Sequence, residues 1–241
     1  MKRIQKQSAT LRELIRRRYP ESPPGTLIEG GRVQVGGRIV RDPESLVRRG
    51  VSVVVLPSQE LRGERKLAAA LQAFAVNPGG LAALDLGAAA GGFTRALLNA
   101  GVARVYAVDV GHGQLLGSLR QEHRVINLEA TNISELTTEL VPEAIDLVTV
   151  DLSYLSLARA VPQLGGLEFA PDATLIALVK PMFELSMATP PTDSLRLTLA
   201  LTEARLAIDA NGWRSVDDIQ SPMTGARGAI EYFVHAERRP R

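Results

Sequence analysis

The 241-residue chain has no cysteine, and this absence excludes several classes of protein at once. Without thiols there is no disulfide framework, no thiolate nucleophile and no cysteine-bound zinc or iron–sulfur cluster. Histidine is also scarce, with three residues and no close pair, so a histidine-based metal site is not expected. We therefore expect no metal at the functional site.

Long apolar stretches are missing as well. No apolar run approaches the roughly 18 residues that predict a membrane-spanning helix. The basic N-terminal segment is not followed by the apolar core of a secretory signal. With hydrophobic residues at 45% and charged residues at 22%, the composition is that of an ordinary globular protein, which we expect to be cytoplasmic.

The net charge of +2 conceals an uneven distribution of charge along the chain. Residues 1–60 contain 12 Lys and Arg against 6 Asp and Glu, whereas residues 61–225 contain 12 against 18. Residues 226–241 are again basic, with 4 against 2. A basic segment of this kind favours a polyanionic partner such as RNA, although a solvated helix that binds nothing has the same composition.

Lysine is scarce too, because only 4 of the 28 cationic residues are Lys. Two of the four, Lys66 and Lys180, lie inside the chain, where Arg is the usual cation. Lys can release its proton when it is buried, whereas Arg stays charged. These two lysines are therefore candidates for a chemical role.

Two regions with different patterns follow one another along the chain. Residues 1–60 combine an Arg-rich amphipathic segment with short apolar strands around a Gly36-Gly37 turn, which predicts a small α/β module. From residue 82 onward, short apolar strands alternate with helices. That alternation predicts a doubly wound, Rossmann-like parallel sheet over residues 61–241. The sheet should end in an antiparallel hairpin, because the last two strands lack a helix between them.

Two helices of the second region can be placed from the spacing of their apolar residues. We expect one over residues 61–75 and another over residues 194–211. In the second helix, the apolar residues near helical spacing are Leu195, Leu199, Leu206 and Ile208.

Charged residues end four of the predicted strands. They are Asp85, Asp109, Asp151 and Lys180. Ligands of doubly wound sheets bind beyond the carboxyl ends of the strands. The agreement between these two facts is the main argument, from residues alone, for an enzyme.

A glycine-rich turn follows the first of these strands, and it reads Asp85-Leu86-Gly87-Ala88-Ala89-Ala90-Gly91-Gly92-Phe93. Its spacing is not the GxGxxG of dinucleotide-binding proteins, and its leading acid would repel a pyrophosphate. The acid suits a cation instead, such as the sulfonium and ammonium groups of S-adenosylmethionine. A turn that only packs a helix on a strand is the alternative.

A complete cofactor site can be assembled on this hypothesis. Asp109 is expected to accept hydrogen bonds from both ribose hydroxyls, and Asn132, after the third strand, to contact the adenine edge. The predicted cofactor-binding residues are Asp85, Gly87, Ala88, Gly91, Gly92, Phe93, Asp109, Asn132 and Asp151.

Several longer motifs resemble one known family. The segments LDLGAAAGGFTRALLNAGVARVYAVDVGHGQL, DLSYLSL, LVKPMFE and TGARGAIEYFVH occur in the order found in the hemolysin TlyA family of FtsJ-like ribose methyltransferases. The resemblance covers residues 61–241, and it extends more faintly over residues 1–60, which are similar to that family's small RNA-binding module. It implies a class I methyltransferase fold, S-adenosylmethionine as cofactor, and 2′-O-methylation of ribose in the RNA of a ribosomal subunit.

The resemblance also implies a catalytic set. The family's Lys-Asp-Lys-Glu residues correspond here to Lys66, Asp151, Lys180 and Glu231. Lys180 is the expected general base, and the two acids are expected to orient it and its neighbours. A simple ion pair between Lys66 and Glu231, without a part in catalysis, is the alternative.

One segment departs from the family pattern. After Glu184 the family usually has a longer, Gly-rich loop with Lys or Arg, whereas this chain has LSMATPPTDS, without a cation. Such a cation would be expected to hold a phosphate backbone. Two other functions therefore stay open, namely a methyltransferase that acts on a small molecule and a non-catalytic, cofactor-binding, hemolysin-like protein.

Overall fold

The computed structural model describes residues 8–20, 23–56 and 61–239. The chain divides into two compact units, residues 1–60 and residues 61–241. Among the described residues, the first unit has one cluster of buried apolar side chains and the second unit has two.

The first unit combines two helices with five short strands in its described part. They are β1 (Ser8–Thr10), α1 (Leu11–Arg18), α2 (Pro24–Glu29), β2 (Val33–Val35), β3 (Arg38–Ile39), β4 (Leu46–Arg48) and β5 (Val53–Val55). Strands β1 and β4 pair antiparallel, and the other three form a sheet in the order β3-β2-β5. The predicted turn is confirmed, because Gly36 and Gly37 join β2 to β3 with φ angles of 58° and 83°. Such angles fit a two-residue hairpin and favour glycine.

Helix α1 shows how this small unit forms a core. It begins with a capping box, in which Thr10 and Glu13 each accept a hydrogen bond from the other's backbone N–H at 3.2 Å. Its inner face buries Leu11 and Ile15 against α2 and the strands. The basic residues of its last turn stay exposed, which leaves their charge available on the surface.

The second unit alternates strands and helices, as the sequence predicted. Its elements are α3 (Arg62–Ala73), β6 (Ala82–Leu86), α4 (Gly92–Asn99), β7 (Arg104–Asp109), α5 (Gly117–Arg120), β8 (Val125–Glu129), β9 (Ile145–Val150), α6 (Leu157–Ala160), β10 (Phe169–Val179), α7 (Pro181–Glu184), α8 (Ser194–Ala210), β11 (Trp213–Gln220) and β12 (Tyr232–Arg238). Short 3-10 turns lie at Ile133–Glu135, Val161–Gly166 and Ala226–Gly228.

These strands form one seven-stranded sheet in the order β11-β12-β10-β9-β6-β7-β8. Neighbours from β10 to β8 run parallel, which confirms the doubly wound architecture. The predicted terminal hairpin is also confirmed, because β11 and β12 pair antiparallel. The structure adds a detail that the sequence did not predict: β12 lies between β10 and β11 and is antiparallel to both.

Helix α8 confirms the helix expected over residues 194–211. Its buried residues are Leu197, Ala200, Ala204 and Ile208. Leu195, Leu199 and Leu206, which indicated the helix by their spacing, are 47% to 79% exposed, so of the four apolar residues near helical spacing only Ile208 lies on the buried face. The physical reason is that small alanines let the helix approach the sheet closely, so the side chains that pack there are not the largest ones.

Helices α3 and α4 approach each other through two glycines. A Cβ atom on Gly92 would lie 2.9 Å from the Cα of Gly63, which is closer than real Cβ contacts allow. Because the obstructing atom belongs to the backbone, no side-chain rotation would relieve the overlap. This contact places α3, which carries Lys66, against the end of the glycine-rich turn.

Substitution of Gly92 by Ala is expected to destabilise the protein by about 1–3 kcal/mol, because α3 must move away. Urea unfolding of the full chain measures the change in the free energy of unfolding. Gly117→Ala is the matched control, since Gly117 also opens a helix and a Cβ there would meet nothing within 4 Å. Equal unfolding midpoints for the two variants would contradict the role given to the contact.

Candidate active site

Strand register brings the predicted catalytic residues to one edge of the sheet. In the antiparallel pair of β10 and β12, Val179 lies opposite Tyr232. Lys180 follows the first and Glu231 precedes the second, so the two side chains start from neighbouring strand ends. Asp151 follows β9, which is the parallel neighbour of β10 on its other side.

The four residues form two ion pairs. Lys66 of α3 reaches Glu231, with Nζ donating to Oε2 at 2.5 Å, and both residues are buried. The ion pair between Lys66 and Glu231, which was the alternative expectation, is therefore present. Its presence alone does not decide whether the two residues take part in catalysis. Lys180 Nζ lies 2.6 Å from Asp151 Oδ1 and donates to Ser153 Oγ at 2.7 Å.

A cleft of about 280 Å³ connects the two pairs, because Lys180 and Glu231 both line it. Its walls are mainly apolar and include Met182, Phe183 and Ile230. Two ionised side chains at an apolar cleft act on a bound molecule more strongly than they would in water, because little solvent separates them from it.

Gly225 makes room for the carboxylate of Glu231. A Cβ atom on Gly225 would overlap Oε1 of Glu231, and it would lie 2.6 Å from the carboxyl carbon. The backbone of the same segment is held by a hydrogen bond from Gly225 N to the carbonyl of Ala229 at 2.7 Å. The segment before β12 is thus shaped around the buried acid.

The glycine-rich turn has alternate residues in the left-handed region. Gly87, Ala89 and Gly91 have φ angles of 84°, 46° and 94°. The turn is therefore a G-x-A-x-G pattern, in which Ala89 takes a conformation that glycine adopts more easily. The spacing of the glycines did not predict this conformation, because an alanine occupies the glycine-like position.

Gly87 also sits too close to the neighbouring strand for any side chain. A Cβ there would overlap the carbonyl group of Asp151, with its carbonyl carbon at 2.9 Å. The bare backbone of the turn is partly exposed at Gly87 and exposed at Ala89. This surface is a place where a ligand can approach the main chain directly.

Asp109 ties the turn to the end of β7. Its Oδ2 accepts a hydrogen bond from Ala89 N at 2.9 Å, and its Oδ1 accepts one from Gly111 N at 2.7 Å. Each carboxylate oxygen has a second lone pair, so two further donors can still be accommodated. Burial, together with the negative charge of Asp109, raises the pKa of the Tyr154 phenol.

Three of the predicted cofactor residues have other partners in the structure. Asp85 is fully buried, and both of its oxygens accept hydrogen bonds from hydroxyls, from Thr94 at 2.6 Å and from Thr149 at 3.0 Å. The expectation that it faces a cationic ligand is therefore corrected. The alternation of side chains along β6 points Asp85 toward α4, beneath the turn and away from the open edge.

Phe93 and Asn132 also have partners within the protein, and their cofactor contacts stay predictions. Phe93 is 3% exposed and packs against Phe233, with ring centroids 6.1 Å apart, so its side chain belongs to the core. Asn132 is exposed, and its Oδ1 accepts hydrogen bonds from Ser134 N and Oγ at 3.1 Å, which caps a 3-10 turn. An adenine contact by that oxygen would compete with the cap.

Two carboxylates at the site were missed. Glu129 ends β8, and its Oε1 accepts hydrogen bonds from Gln114 N at 2.6 Å and Leu115 N at 3.0 Å. Although burial acts in the opposite direction, these donors, with Asn127 and Arg120, lower its pKa to about 2. The sequence signal was available, because Glu129 ends β8 as Asp109 ends β7.

Glu184 is the second missed carboxylate. It accepts hydrogen bonds from Leu157 N at 3.0 and 3.1 Å, and its burial raises its pKa to about 7. The contact joins α7, which follows Lys180, to the start of α6, which ends the loop after Asp151. Glu184 therefore helps to fix the two ends of the Lys180–Asp151 pair.

The edge suits the cofactor predicted from the sequence. The exposed backbone of the turn at Gly87 and Ala89 and the free lone pairs of Asp109 provide a surface for a nucleoside that ends in a cation. Among the described residues, no group of three or more His, Asp or Glu side chains is placed to hold a metal ion. No helix in the described ranges is long and apolar enough to cross a membrane.

The chain is similar in sequence to one protein family and to several named proteins. Residues 61–238 match the sequence model of the FtsJ-like methyltransferase family. The chain is 40% identical over 234 residues to a Mycobacterium tuberculosis protein named 16S/23S rRNA (cytidine-2′-O)-methyltransferase TlyA, covering 92% of this chain and 87% of that protein. It is 35% identical to hemolysin A of Brachyspira hyodysenteriae, covering 72% and 75% of the two chains.

A solved structure is similar over nearly the whole chain. It belongs to a candidate hemolysin from Streptococcus thermophilus, with a TM-score of 0.69 and 27% sequence identity. The similarity covers 97% of this chain and 89% of that one.

Asp85 predicts a pH dependence of stability. Burial raises the pKa of its carboxyl from 3.8 to about 6, against the lowering effect of its threonine partners, and the charge of Asp151 adds to the rise. Because the folded state holds this proton more tightly than the unfolded state, stability falls as pH rises from about 4 to about 6. A shift of this size corresponds to about 3 kcal/mol.

Asp85→Asn removes this titration, so the variant should gain stability relative to the unchanged protein as pH rises from 4 to 7. Urea unfolding at several pH values measures the difference, and Asp172→Asn, at an exposed acid of the same unit, is the control. Parallel pH profiles for Asp85→Asn and the unchanged chain would refute the assignment.

Proposed function

The chain belongs to the FtsJ-like methyltransferase family, and from this premise we propose that it transfers the methyl group of S-adenosylmethionine to a ribose 2′-hydroxyl of ribosomal RNA. One observation supports the proposal more than any other. Lys66, Asp151, Lys180 and Glu231 come from four separate segments and form two ion pairs, and one member of each pair, Glu231 and Lys180, lines the same cleft.

The cofactor is assigned to the edge formed by β6 and β7. When bound there, it supplies a methyl group on a positively charged sulfur. The turn at Gly87 and Ala89 presents backbone rather than side chains, so the ligand can lie close to the sheet. Asp109 accepts the ribose hydroxyls of the ligand through its remaining lone pairs, and its negative charge favours a cationic molecule.

The acceptor ribose is assigned to the cleft beside Lys180. A hydroxyl oxygen that gains a methyl carbon must lose its proton, and a nearby group has to take it. Lys180 is that group in this proposal: after its own proton has passed to solvent, the neutral amine has a lone pair for the hydroxyl proton, and its Nζ is held at the cleft by Asp151 and Ser153. Glu231 holds Lys66 on the opposite side. Such fixed positions let binding energy align the oxygen with the methyl group.

The first unit is proposed to hold the RNA. A groove of about 640 Å³ is lined by Arg17 and Arg18 of α1 and by Arg48 and Arg49 at the end of β4. All four side chains are exposed. Four guanidinium groups around one groove favour a phosphate backbone, and binding through them should weaken steeply with salt. The name of the Mycobacterium tuberculosis relative supports ribosomal RNA as that partner.

A second candidate function is methylation of a small molecule. It is favoured by the mainly apolar cleft and by the segment after Glu184, which has no cation. This candidate uses the same cofactor edge and the same lysine, so only the acceptor differs. A methyl-transfer assay with both kinds of acceptor separates the two.

Lys180→Ala is expected to lower ribose methylation at least 100-fold, because no group is left to take the proton. Transfer of labelled methyl groups to ribosomal subunits, free RNA and a small-molecule extract is measured. Lys180→Arg is the matched variant, since it keeps the charge but does not accept a proton, and it should be equally inactive.

A ribosomal target is rejected if the unchanged chain binds the cofactor and labels no RNA. Label in the small-molecule fraction would then support the second candidate. Full activity of Lys180→Arg would instead reject Lys180 as the proton acceptor, while leaving the substrate assignment in place.

Asp109→Ala is expected to weaken cofactor binding about tenfold or more, because hydrogen bonds to a carboxylate are among the stronger ones. Calorimetry with the cofactor measures the dissociation constant. Asp172→Ala, an exposed acid on β10, is the control and should bind normally. An unchanged affinity of Asp109→Ala would place the cofactor elsewhere.

A further inference from the structure

Arg227 has an unusual backbone conformation beside the cleft. It lies in the 3-10 turn between β11 and β12, with φ of 56° and ψ of 27°, in the left-handed region that a non-glycine residue rarely adopts. Its side chain is exposed and lines the same cleft as Lys180 and Glu231. Backbone strain of this kind persists only where the surrounding structure holds it, and it is concentrated at functional sites.

The surrounding segment does hold the turn firmly. Arg62 Nη2 donates to the carbonyl of Thr224 at 2.8 Å, and Ser221 N donates to the carbonyl of Glu231 at 2.8 Å. Together with the bond from Gly225 to Ala229, these contacts fix the turn to the start of β12. The position of Arg227 relative to Glu231 is therefore determined by the fold.

The guanidinium of Arg227 is the unneutralised cation of the cleft. Lys66 is paired with Glu231 and Lys180 with Asp151. For Arg227, residues 61–239 provide neither a hydrogen-bond acceptor nor an acidic partner. An exposed Arg with no internal partner, held in a strained turn at a cleft, is placed to bind an anion from outside.

The segment that follows α7 also lines the cleft and adds no positive charge to it. The segment between Glu184 and Ser194 contributes Pro190 to the cleft and contains no Lys or Arg. Arg227 therefore supplies a positive charge to a cleft to which the segment after Glu184 supplies none. A guanidinium can hold two phosphate oxygens at once, which gives direction as well as attraction.

We propose that Arg227 binds a backbone phosphate of the acceptor RNA at this cleft, next to the ribose that is methylated. The inference rests on the proposed function and names a binding residue for its substrate. A ribose 2′-hydroxyl and the adjoining 3′-phosphate belong to one nucleotide. A guanidinium and Lys180 on the walls of one cleft can therefore hold both groups together.

The main test is Arg227→Asn, because Asn tolerates the left-handed conformation and should preserve the turn. Steady-state methylation of RNA is measured over a range of salt concentrations. We expect KM for RNA to rise about tenfold, with kcat within twofold and cofactor affinity unchanged. The slope of log KM against log salt should become shallower by about 0.7 to 0.9, which corresponds to one phosphate contact.

Two further variants sharpen the result. Arg227→Lys keeps the charge and should retain the salt slope while losing part of the affinity, because an ammonium does not hold two oxygens in one plane. Arg214→Ala is the matched control, since Arg214 lies at the far end of β11, paired with Glu237, and its loss should leave KM unchanged. Thermal unfolding verifies that all three variants are folded.

The outcomes distinguish this inference from the proposed function. If the unchanged chain methylates RNA and Arg227→Asn shows the same KM and salt slope, the phosphate site is overturned and the function stands. If Arg227→Asn and Arg214→Ala weaken RNA binding equally, the effect is one of general charge, and the site is again overturned. If the unchanged chain methylates no RNA at all, the proposed function fails first.

Discussion

The buried ion pair between Lys66 and Glu231 is the contact on which the site of the second unit depends. It joins α3, at the start of that unit, to the residue before its last strand, and both side chains are almost fully buried. Removing one partner of such a pair leaves an uncompensated buried charge, at a cost of about 3–5 kcal/mol. A hydrophobic pair would be cheaper to bury, so the retention of two charges here is consistent with a task beyond stability.

The direction of β12 makes this pair possible at the right place. In a parallel sheet, the edge where ligands bind receives only the carboxyl ends of strands. Because β12 runs antiparallel to β10, it brings its own amino end to that edge, and with it Glu231. Gly225 then leaves space for the carboxylate, and the close contact of Gly63 with Gly92 lets α3 carry Lys66 to it. The antiparallel direction of β12 and the lack of side chains at these three glycines thus determine where the charged residues of the two ion pairs lie.

The sequence predicted those parts of the structure that depend on local pattern. Alternating strands and helices predicted the parallel sheet, and charged residues at strand ends marked the edge where the site lies. The sequence did not predict which face of a given strand or helix is covered by the rest of the protein. Asp109 is the last residue of β7, whereas Asp85 lies one residue before the end of β6, and the pleat turns its side chain toward α4 and into the core. In α8 the spacing of apolar residues predicted the helix but not its buried face, of which two of the four residues are the alanines Ala200 and Ala204.

Charge at the site is divided between its two sides. The two ion pairs neutralise four of the ionised groups, and each pair holds its members in place. Within the described residues, Asp109 then remains on the side of the glycine-rich turn without a cationic partner, and Arg227 remains at the cleft without an acidic one. A negative group on one side and a positive group on the other complement a cationic methyl donor and an anionic acceptor chain. In the proposed function, opposite charges thus direct the two substrates to opposite sides of Lys180, where an oxygen and a methyl group have to meet.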